Sequence, residues 1–449
     1  MSPFDAVFKA YDIRGTVPEQ LDEEMCRAIG AAFARFAGAQ RVLIGHDMRP
    51  SGEELVSAFS DGVRREGVGV AHLGLVSTDL VYYAAGTVDA PGVMFTASHN
   101  PAQYNGIKLC LAGARPVGVD TGLTEVKATA EAILDGRETL AATPSADEES
   151  LDLLDAFADH VVSFADRSLL KPLKVVADTA NGMGGLVVPK VFERLPFDLE
   201  VMYGELDGTF PNHPADPIQP ANQRDLQARV TASGADVGLA FDGDADRVFF
   251  VDETGRGLSG STTTAILAAG ILAREPGATI LYNLICSRAV PEVIRERGGT
   301  PIRTKVGHSF IKQLMAETGA AFGGEHSAHY YFRDNFRADS GIIATMVLLE
   351  QLSQAGVPLS ELRQPFERYA ASGEINTQVA DPPAVIERVA AAYRDQPQDR
   401  LDGLTVDCGS WWFNVRPSNT EPLLRLNLEA PTREQCDERV ADVLALIAG

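Results

Sequence analysis

The sequence predicts an α/β fold of three similar domains with mixed sheets, followed by a smaller α+β domain. Short apolar runs that end in polar, turn-forming residues recur at 41–47, 173–182 and 279–287. Amphipathic segments such as 51–67 alternate with them, and near-continuous apolar strands between helices are typical of parallel or mixed sheets. The runs lie about 100–130 residues apart, which fits one α/β domain each.

The last part of the chain has a different pattern. A helical stretch at 382–395, short strands at 411–418 and 423–430, and a final helix at 432–448 predict the smaller α+β domain. The expected domains are 1–145, 146–251, 252–365 and 366–449. Ligands of α/β sheets gather where strands end, so the polar residues after each apolar run are the candidates for chemistry.

Composition excludes several classes of protein. The 449 residues carry a net charge of −23 without a run of Lys or Arg, which argues against a nucleic-acid partner. No segment approaches the ~20 apolar residues that span a membrane, and the first residues lack the pattern of a signal peptide. The five cysteines are far apart, which argues against a disulfide framework or a thiolate metal cluster. We therefore expect a cytoplasmic protein and, without coiled-coil heptads, a monomer.

An acidic protein that binds an anion needs local cations to overcome its own field. Three segments place a cation beside glycine, namely YDIRG, NGIK and KVGHS, at 11–15, 105–108 and 305–309. A fourth, RPSNTEP at 416–422, combines a guanidinium, hydroxyls and a turn whose N–H groups can point at an anion. This fourth segment predicts a phosphate-binding turn.

Three aspartates lie between two apolar strands in the segment DGDADR. Asp242, Asp244 and Asp246 can converge if the loop curls, and we expect Gly243 to permit the unusual φ that this requires. Close carboxylates repel one another, so a hard cation such as Mg²⁺, shared with a phosphate, is the expected ligand. An EF-hand is the rival, but its sixth position is Arg247 rather than glycine, and 248–251 has the pattern of a strand.

A serine and a sugar-like binding pattern complete the candidates. Ser98, in TASHNP, follows an apolar run and could be a nucleophile at a strand end or the N-cap of a helix. A pair with His99 is not expected, because neighbours in a strand or turn point apart. In GGEHSAH, at 323–329, Glu325, Ser327 and His329 alternate, so an extended segment would direct them to one side, where they suit sugar hydroxyls.

These four motifs, in this order, resemble the α-D-phosphohexomutases, and most of all their bacterial phosphomannomutase/phosphoglucomutase branch. The match runs from YDIRG to RPSNTEP, nearly the whole chain. The resemblance implies a heart-shaped protein with one motif per domain around a central cleft. It implies interconversion of hexose 6-phosphate and hexose 1-phosphate, of mannose or glucose, through a phosphoserine and a hexose 1,6-bisphosphate that also serves as activator.

The resemblance also implies roles for individual residues. Ser98 matches the phosphoserine, and Mg²⁺ is implied to bind the three aspartates and a phosphoserine oxygen. Lys108, whose pKa we expect the neighbouring Arg14 to lower, is the candidate base, and His329 is the second. Positions implied to be catalytic are Ser98, Arg14, Lys108, Arg247 and His329. Positions implied to bind sugar or phosphate are Tyr11, Lys305, His308, Glu325, Ser327, Arg416, Ser418, Asn419 and Thr420.

Two positions depart from the family pattern. GEHSAH stands where the family often has GEMSGH, so His326 and Ala328 are substitutions and the loop shape near Ala328 is open. The phosphoglucosamine mutase branch usually has glutamine at the position of His326 and Ser-Gly-Thr in the phosphate loop, so Asn419 argues against that alternative. A metal-dependent sugar phosphatase, with the same aspartates, is the other alternative. A binding-only sensor or a scaffold leaves the motifs unexplained.

Overall fold

The computed structural model describes residues 2–417 and 423–449, apart from the side chain of His308. Four β-sheets follow one another along these residues. The first unit contains α1 (Phe4–Val7), β1 (Ile13–Thr16), α2 (Glu23–Ala37), β2 (Arg41–His46), α3 (Gly52–Arg65), β3 (Gly69–Leu75), α4 (Thr78–Thr87), β4 (Gly92–Phe95), β5 (Tyr104–Leu111), β6 (Arg115–Pro116), α5 (Leu123–Leu134) and β7 (Glu148–Ser150).

Two further α/β units follow. The second contains α6 (Leu154–Val162), β8 (Lys174–Asp178), α7 (Gly184–Phe192), β9 (Asp198–Met202), α8 (Arg224–Ser233), β10 (Val237–Phe241) and β11 (Val248–Asp252). The third contains α9 (Gly260–Arg274), β12 (Thr279–Asn283), α10 (Ala289–Glu296), β13 (Thr300–Thr304), α11 (His308–Thr318), β14 (Phe322–Gly324), β15 (Tyr330–Phe332), α12 (Gly341–Ala355) and α13 (Leu359–Leu362).

The last unit is a five-stranded antiparallel sheet with two helices, which confirms the predicted α+β domain. It contains β16 (Ala370–Gln378), α14 (Pro382–Ala392), β17 (Gln398–Asp399), β18 (Leu404–Asp407), β19 (Trp412–Pro417), β20 (Leu423–Ala430) and α15 (Arg433–Ala448). Short 3-10 helices elsewhere lie at Ala112–Ala114, Val119–Thr121, Arg167–Leu169, Pro220–Gln223, Arg333–Asn335 and Gln364–Phe366.

The three α/β units share one topology, which confirms the prediction of similar domains with mixed sheets. The order is β5-β4-β2-β3 in the first, β11-β10-β8-β9 in the second and β15-β14-β12-β13 in the third. In each unit, the first two strands of this order pair antiparallel, and the other neighbouring strands pair parallel. The connection between the two antiparallel strands, at 96–103, 242–247 and 325–329, therefore has the same place in every unit.

The helices begin and end where local chemistry predicts. In α2 the Asp22 side chain accepts from the N–H of Met25, and Glu23 and Glu24 occupy the first turn. The helix ends at Gly38, whose φ of 58° lies in the left-handed region that glycine adopts without strain. Strands β4 and β10 are buried at every residue, as the apolar runs predicted.

The cores divide the molecule unevenly. One cluster of buried apolar residues runs through the second and third units and one face of the first sheet, and a second cluster fills the other face of the first unit. The fourth unit has a cluster of its own. All five cysteines are free.

The described residues bear on two further expectations. Strand β7 pairs with β3, so the first sheet extends past the expected boundary at residue 145, whereas the boundaries near 251 and 365 stay predictions. No single described helix has the length and hydropathy to cross a membrane; the bent pair Gly341–Ala355 and Leu359–Phe366 reaches them only as a pair.

Candidate active site

Ser98 lies in the turn between β4 and β5, at the edge of the first sheet. Its backbone has φ 48°, and its Oγ donates to Oδ2 of Asp242, in the second unit, at 2.7 Å. The helix-cap alternative is wrong, because the residues after Ser98 form a turn that leads directly into β5. The serine therefore faces the aspartate loop across the boundary between two domains.

The three aspartates converge as predicted, although for a different reason. Carboxylate oxygens of Asp242, Asp244 and Asp246 all lie within 4.8 Å of one another. The left-handed residue of the loop is Ala245, with φ 62°, and not Gly243. Gly243 is instead required by close approach, since a Cβ there would lie 2.5 Å from the carbonyl oxygen of Ser98. The EF-hand alternative is wrong, because the strand β11 begins directly after the loop.

The loop fits a divalent cation. Oδ1 of Asp244 and Oδ1 of Asp246 are buried and accept no hydrogen bond from any described residue. Buried carboxylate oxygens without donors are costly, and Mg²⁺ takes such oxygens while leaving coordination positions for phosphate. Burial raises the pKa of Asp242 well above its usual value despite Arg247, so Asp242 needs further positive charge nearby to stay ionised.

Lys108 supplies part of that charge. Its ammonium donates to Oδ2 of Asp244 at 2.7 Å and to Oδ2 of Asp246 at 2.6 Å. Burial by itself would lower the pKa of Lys108, but the two carboxylates outweigh it and raise that pKa well above its usual value. The expectation that Arg14 lowers the pKa of Lys108 is therefore wrong. The side chain of Arg14 instead donates to Asn100 and Asp12.

His99 was not expected at the site, yet it contacts the nucleophile candidate. Its Nδ1 lies 3.2 Å from Oγ of Ser98, because the left-handed backbone of Ser98 turns the two side chains to the same side. Nη2 of Arg247 donates to the same Nδ1 at 2.7 Å, so Nδ1 is an acceptor and His99 is neutral. Burial, with Arg247 and Arg14, lowers the pKa of His99 well below its usual value.

Arg247 joins the aspartate loop, residues 242–247, to the third unit. Its Nε donates to Oδ2 of Asp242 at 2.9 Å, and its backbone pairs with that of His329. Nε2 of His329 lies 3.8 Å from Oδ1 of Asp246. The segment 323–329, which contains Glu325, Ser327 and His329, is therefore in contact with the aspartate loop.

Glu325, Ser327 and His329 converge because their segment forms a turn, and not because it is extended as predicted. The carbonyl of Glu325 accepts from the N–H of Ala328, whose φ is 66°, and Oγ of Ser327 lies 3.0 Å from Nδ1 of His329. Ala328 holds this left-handed backbone at the position where the resemblance implies that glycine is common. The ring of His326 is 3.0 Å from Oγ of Ser261 and faces the groove toward the fourth unit.

Glu325 is buried and held by three donors. Its Oε1 accepts from Nδ2 of Asn283 at 3.2 Å and from the N–H of Gly307 at 3.1 Å. Its Oε2 accepts from the hydroxyl of Tyr331 at 2.8 Å. Burial together with this carboxylate raises the pKa of Tyr331 well above its usual value, so the phenol stays a donor.

A cavity of ≈680 Å³ opens in front of Ser98, Lys108 and His329. Residues from three units line it, namely Tyr11, Arg14, Ser98, His99, Asn100, Lys108, Asp246, Arg247, His329 and Asp339, with others. Lys305 lies in a neighbouring cavity of ≈640 Å³, and Tyr11 lines both. The hydroxyl of Tyr11 donates to the carbonyl of Val306 at 3.4 Å.

The fourth unit contributes Arg416, at the end of β19. Its Nη1 donates to Oδ1 of Asn427 at 2.9 Å and its Nη2 to Oε2 of Glu374 at 2.6 Å, which fixes the direction of the guanidinium. The other predicted residues of this turn, Ser418, Asn419 and Thr420, lie outside the described residues, as does the side chain of His308.

Thr78, which sequence patterns did not reveal, holds the aspartate loop. Oγ1 of Thr78 donates to Oδ2 of Asp244 at 2.6 Å, and its N–H donates to the carbonyl of Asp244 at 3.1 Å. The next residue, Asp79, accepts from Oγ of Ser340 at 2.6 Å. The start of α4 therefore contacts both other α/β units, which only the tertiary structure could show.

Models of a known family match all four units. They are the three alpha/beta/alpha domains and the C-terminal domain of phosphoglucomutase/phosphomannomutase, at 5–135, 155–256, 259–369 and 374–446. The chain belongs to this family.

Relatives agree along nearly the whole chain. A protein of Xanthomonas campestris pv. campestris named phosphohexose mutases is 44% identical over 427 residues, with 94% of each chain covered. A phosphomannomutase of Salmonella montevideo is 39% identical over 432 residues, again with 94% of each covered. The crystal structure of a family protein from Burkholderia thailandensis superposes with a TM-score of 0.90 at 32% identity, covering 100% of this chain and 97% of that one.

These matches confirm the resemblance and the fold class predicted from the sequence. They indicate a hexose phosphate mutase, which is an isomerase, and they do not favour a sugar phosphatase or a phosphoglucosamine mutase.

Proposed function

We propose that the protein interconverts hexose 6-phosphate and hexose 1-phosphate, with mannose, glucose or both as the sugar. One observation carries this proposal: Oγ of Ser98 lies 2.7 Å from Oδ2 of Asp242, beside two other carboxylates and within the lining of the ≈680 Å³ cavity. A hydroxyl beside a cation site, in a cavity large enough for a hexose, suits the transfer of a phosphoryl group.

The proposed cycle uses Ser98 as the phosphoryl carrier. The free hydroxyl of the hexose phosphate attacks phosphorus, its proton passes to a base, and the bond between phosphorus and Oγ of Ser98 breaks. The hexose 1,6-bisphosphate that results turns in the cleft, and Oγ of Ser98 attacks the phosphorus of its other phosphate. The bond between that phosphorus and the sugar oxygen breaks, the proton of Oγ passes to the base, and the sugar oxygen takes up a proton. The product leaves with one phosphate and Ser98 is phosphorylated again. Free hexose 1,6-bisphosphate serves as activator, because it can phosphorylate a chain whose Ser98 has lost its phosphate.

We propose Mg²⁺ as the cofactor, held by Asp242, Asp244, Asp246 and an oxygen of phosphorylated Ser98. When bound, Mg²⁺ supplies charge neutralisation at the transferring group. Arg247, whose Nε is 2.9 Å from Oδ2 of Asp242, adds a fixed positive charge there.

The remaining proposed roles follow from the lining of the cavity for some residues and from the family match for the others. Lys108 and His329, which both line the cavity, are the candidates for moving the proton of the attacking hydroxyl, and Arg14 lies beside them. Because Asp244 and Asp246 raise the pKa of Lys108, Lys108 could accept this proton only when its ion pairs with them are broken, as by a cation bound to the two carboxylates. Glu325 and Ser327 are proposed to bind sugar hydroxyls. The phosphate that is not reacting is proposed to bind Tyr11, Lys305, His308, Arg416, Ser418, Asn419 and Thr420.

We also propose that the fourth domain closes over bound substrate and opens to release product. Its separate core supports such a motion, because the domain can move without opening the main core. Closure would keep water from the phosphoserine. The free cysteines support a reducing compartment, so we propose a cytoplasmic location. We also propose that the protein is a monomer that acts on small sugar phosphates.

The test is a comparison of mannose 1-phosphate and glucose 1-phosphate, each with Mg²⁺ and glucose 1,6-bisphosphate. We expect hexose 6-phosphate to form from at least one of them, with no release of inorganic phosphate. Release of phosphate without isomerisation would instead identify a sugar phosphatase. Isomerisation of glucosamine phosphate in preference to both would contradict the proposed substrate.

A further inference from the structure

Arg49 is completely buried behind the turn that contains Ser98. Its side chain has an exposed fraction of 0%, as does that of its ion-pair partner Asp47. Neither residue lines the cavity in front of Ser98, so neither contacts substrate there. An isolated buried guanidinium is costly, which makes its surroundings informative.

All five N–H groups of Arg49 are used. Nε donates to Oδ2 of Asp47 at 3.2 Å. The other four donate to backbone carbonyls at distances of 2.7–2.9 Å, namely those of Ser98, Asn100 and Pro101 in the turn and of Tyr104 at the start of β5. One planar side chain therefore holds three carbonyls of the turn and the first carbonyl of the strand that follows it.

The same buried pair also holds the N–H of Ser98. Oγ1 of Thr96 accepts from that N–H at 2.8 Å and donates to Oδ2 of Asp47 at 2.7 Å. The N–H and the carbonyl of Ser98 are thus both fixed by one network, on either side of a left-handed backbone at φ 48°. Such a backbone is sterically unfavourable for serine and persists only where its surroundings impose it.

The turn is fixed from the second domain as well. Cζ of Arg49 lies over the ring of Phe210, 5.2 Å from the ring centroid, and the carbonyl of Ser98 packs against Gly243 of the aspartate loop. A shift of this carbonyl would move Oγ away from Asp242. The network thereby couples the backbone of the turn to the direction of the hydroxyl.

We propose that Arg49 is the positioning residue that holds Ser98 in line for phosphoryl transfer. The inference rests on the proposed function, because it assumes that Ser98 carries the phosphoryl group. Only arginine can fill this position, since lysine retains the charge but has three donors and no plane in which to hold four carbonyls.

The test is Arg49→Lys, with steady-state kinetics, the phosphate content of Ser98 by mass spectrometry and Mg²⁺ affinity by calorimetry. We expect kcat to fall about 100-fold, as for a reacting group misplaced by about 1 Å. KM should stay unchanged, because the substrate contacts are intact. The Mg²⁺ affinity of enzyme without phosphate on Ser98 should also stay unchanged, because only the three aspartates then hold the ion. A merely structural role would lower the amount of folded enzyme and leave kcat per folded chain unchanged.

Arg363→Lys is the matched control. Arg363 is also buried and also donates five hydrogen bonds, to Asp252, Glu367 and the carbonyls of Arg256 and Gly257, away from Ser98. The Arg363→Lys variant should have lower thermal stability than the wild type and the same kcat.

Thr96→Val decides the question if Arg49→Lys does not fold. It removes the link between Asp47 and the N–H of Ser98 with little change in shape, and we expect about a tenfold fall in kcat. Unchanged kcat in Thr96→Val, or wild-type kcat in folded Arg49→Lys, would overturn the inference. A wild-type enzyme that is active without phosphate on Ser98 would instead overturn the proposed function, and the inference with it.

Discussion

Replacing Thr78 with valine removes a hydroxyl that orients a proposed magnesium ligand. Oγ1 of Thr78 donates to Oδ2 of Asp244 at 2.6 Å, and both residues are buried. Valine has nearly the same shape, so the change deletes a hydrogen bond without making a large cavity. The backbone N–H of Thr78 still donates to the carbonyl of Asp244 at 3.1 Å, so the loop should keep its place.

The expected loss of Mg²⁺ affinity in Thr78→Val depends on the hydrogen bonds that Asp244 keeps. A hydrogen bond to a charged group contributes about 1.5–3 kcal/mol, and losing a partner of a metal ligand costs about 10–100-fold in metal affinity. Lys108 still donates to the same Oδ2 of Asp244 at 2.7 Å. We therefore expect the lower part of this range, about a tenfold weaker Mg²⁺ affinity, which corresponds to about 1.4 kcal/mol.

Isothermal titration calorimetry with Mg²⁺ measures this directly, and thermal denaturation measures the accompanying loss of stability. The control is Thr264→Val, which removes a buried hydroxyl that donates to the carbonyl of Gly260 at 2.7 Å within α9. The control should keep the Mg²⁺ affinity of the wild type. Equal affinities in Thr78→Val and the wild type would refute the argument that Thr78 orients Asp244.

Three further variants test other parts of the account. Arg416→Ala should raise KM for both hexose 1-phosphate and hexose 6-phosphate by about 10–100-fold, because it removes charge-assisted hydrogen bonds to phosphate; an unchanged KM would place the phosphate site elsewhere. Ala328→Gly should change the free energy of unfolding by less than about 1 kcal/mol, since relief of the left-handed backbone at φ 66° offsets the lost methyl and the added chain freedom; a larger loss, seen by denaturant unfolding, would show that the turn depends on that methyl. Burial lowers the pKa of His213, but the hydrogen bond to Asp178 outweighs burial, so the pKa is raised. The protonated ring therefore stabilises the fold below the unfolded pKa of about 6.5, and this stabilisation is lost as pH rises through the folded pKa. His213→Gln should accordingly destabilise more at about pH 6 than at about pH 9, and the opposite trend in thermal melts would contradict this assignment.

The sequence predicted those parts of the molecule that depend on local pattern. Apolar runs at 41–47, 173–182 and 279–287 became β2, β8 and β12, and the segment 51–67 became α3. The aspartate triplet was readable because spacing alone places three carboxylates in one short loop. Their convergence needed only a turn between two buried strands.

The sequence did not predict features that depend on contacts across domains. The left-handed backbone of Ser98 brings His99 beside it, whereas the alternation of side chains predicted that the two point apart. The pKa of Lys108 is set by Asp244 and Asp246, which lie more than a hundred residues further along the chain, and not by Arg14. The four carbonyls bound by Arg49 have no signal in the sequence at all, because every residue type has a carbonyl.

Phosphate on Ser98 is the most direct test of the central claim. Intact mass spectrometry and peptide mapping of active enzyme should find up to one phosphate per chain, located on Ser98. Ser98→Ala should lose both the phosphate and most mutase activity, while Ser60→Ala, a buried serine of α3 outside the site, should keep both. Active enzyme with no phosphate on Ser98, or full activity in Ser98→Ala, would contradict the account.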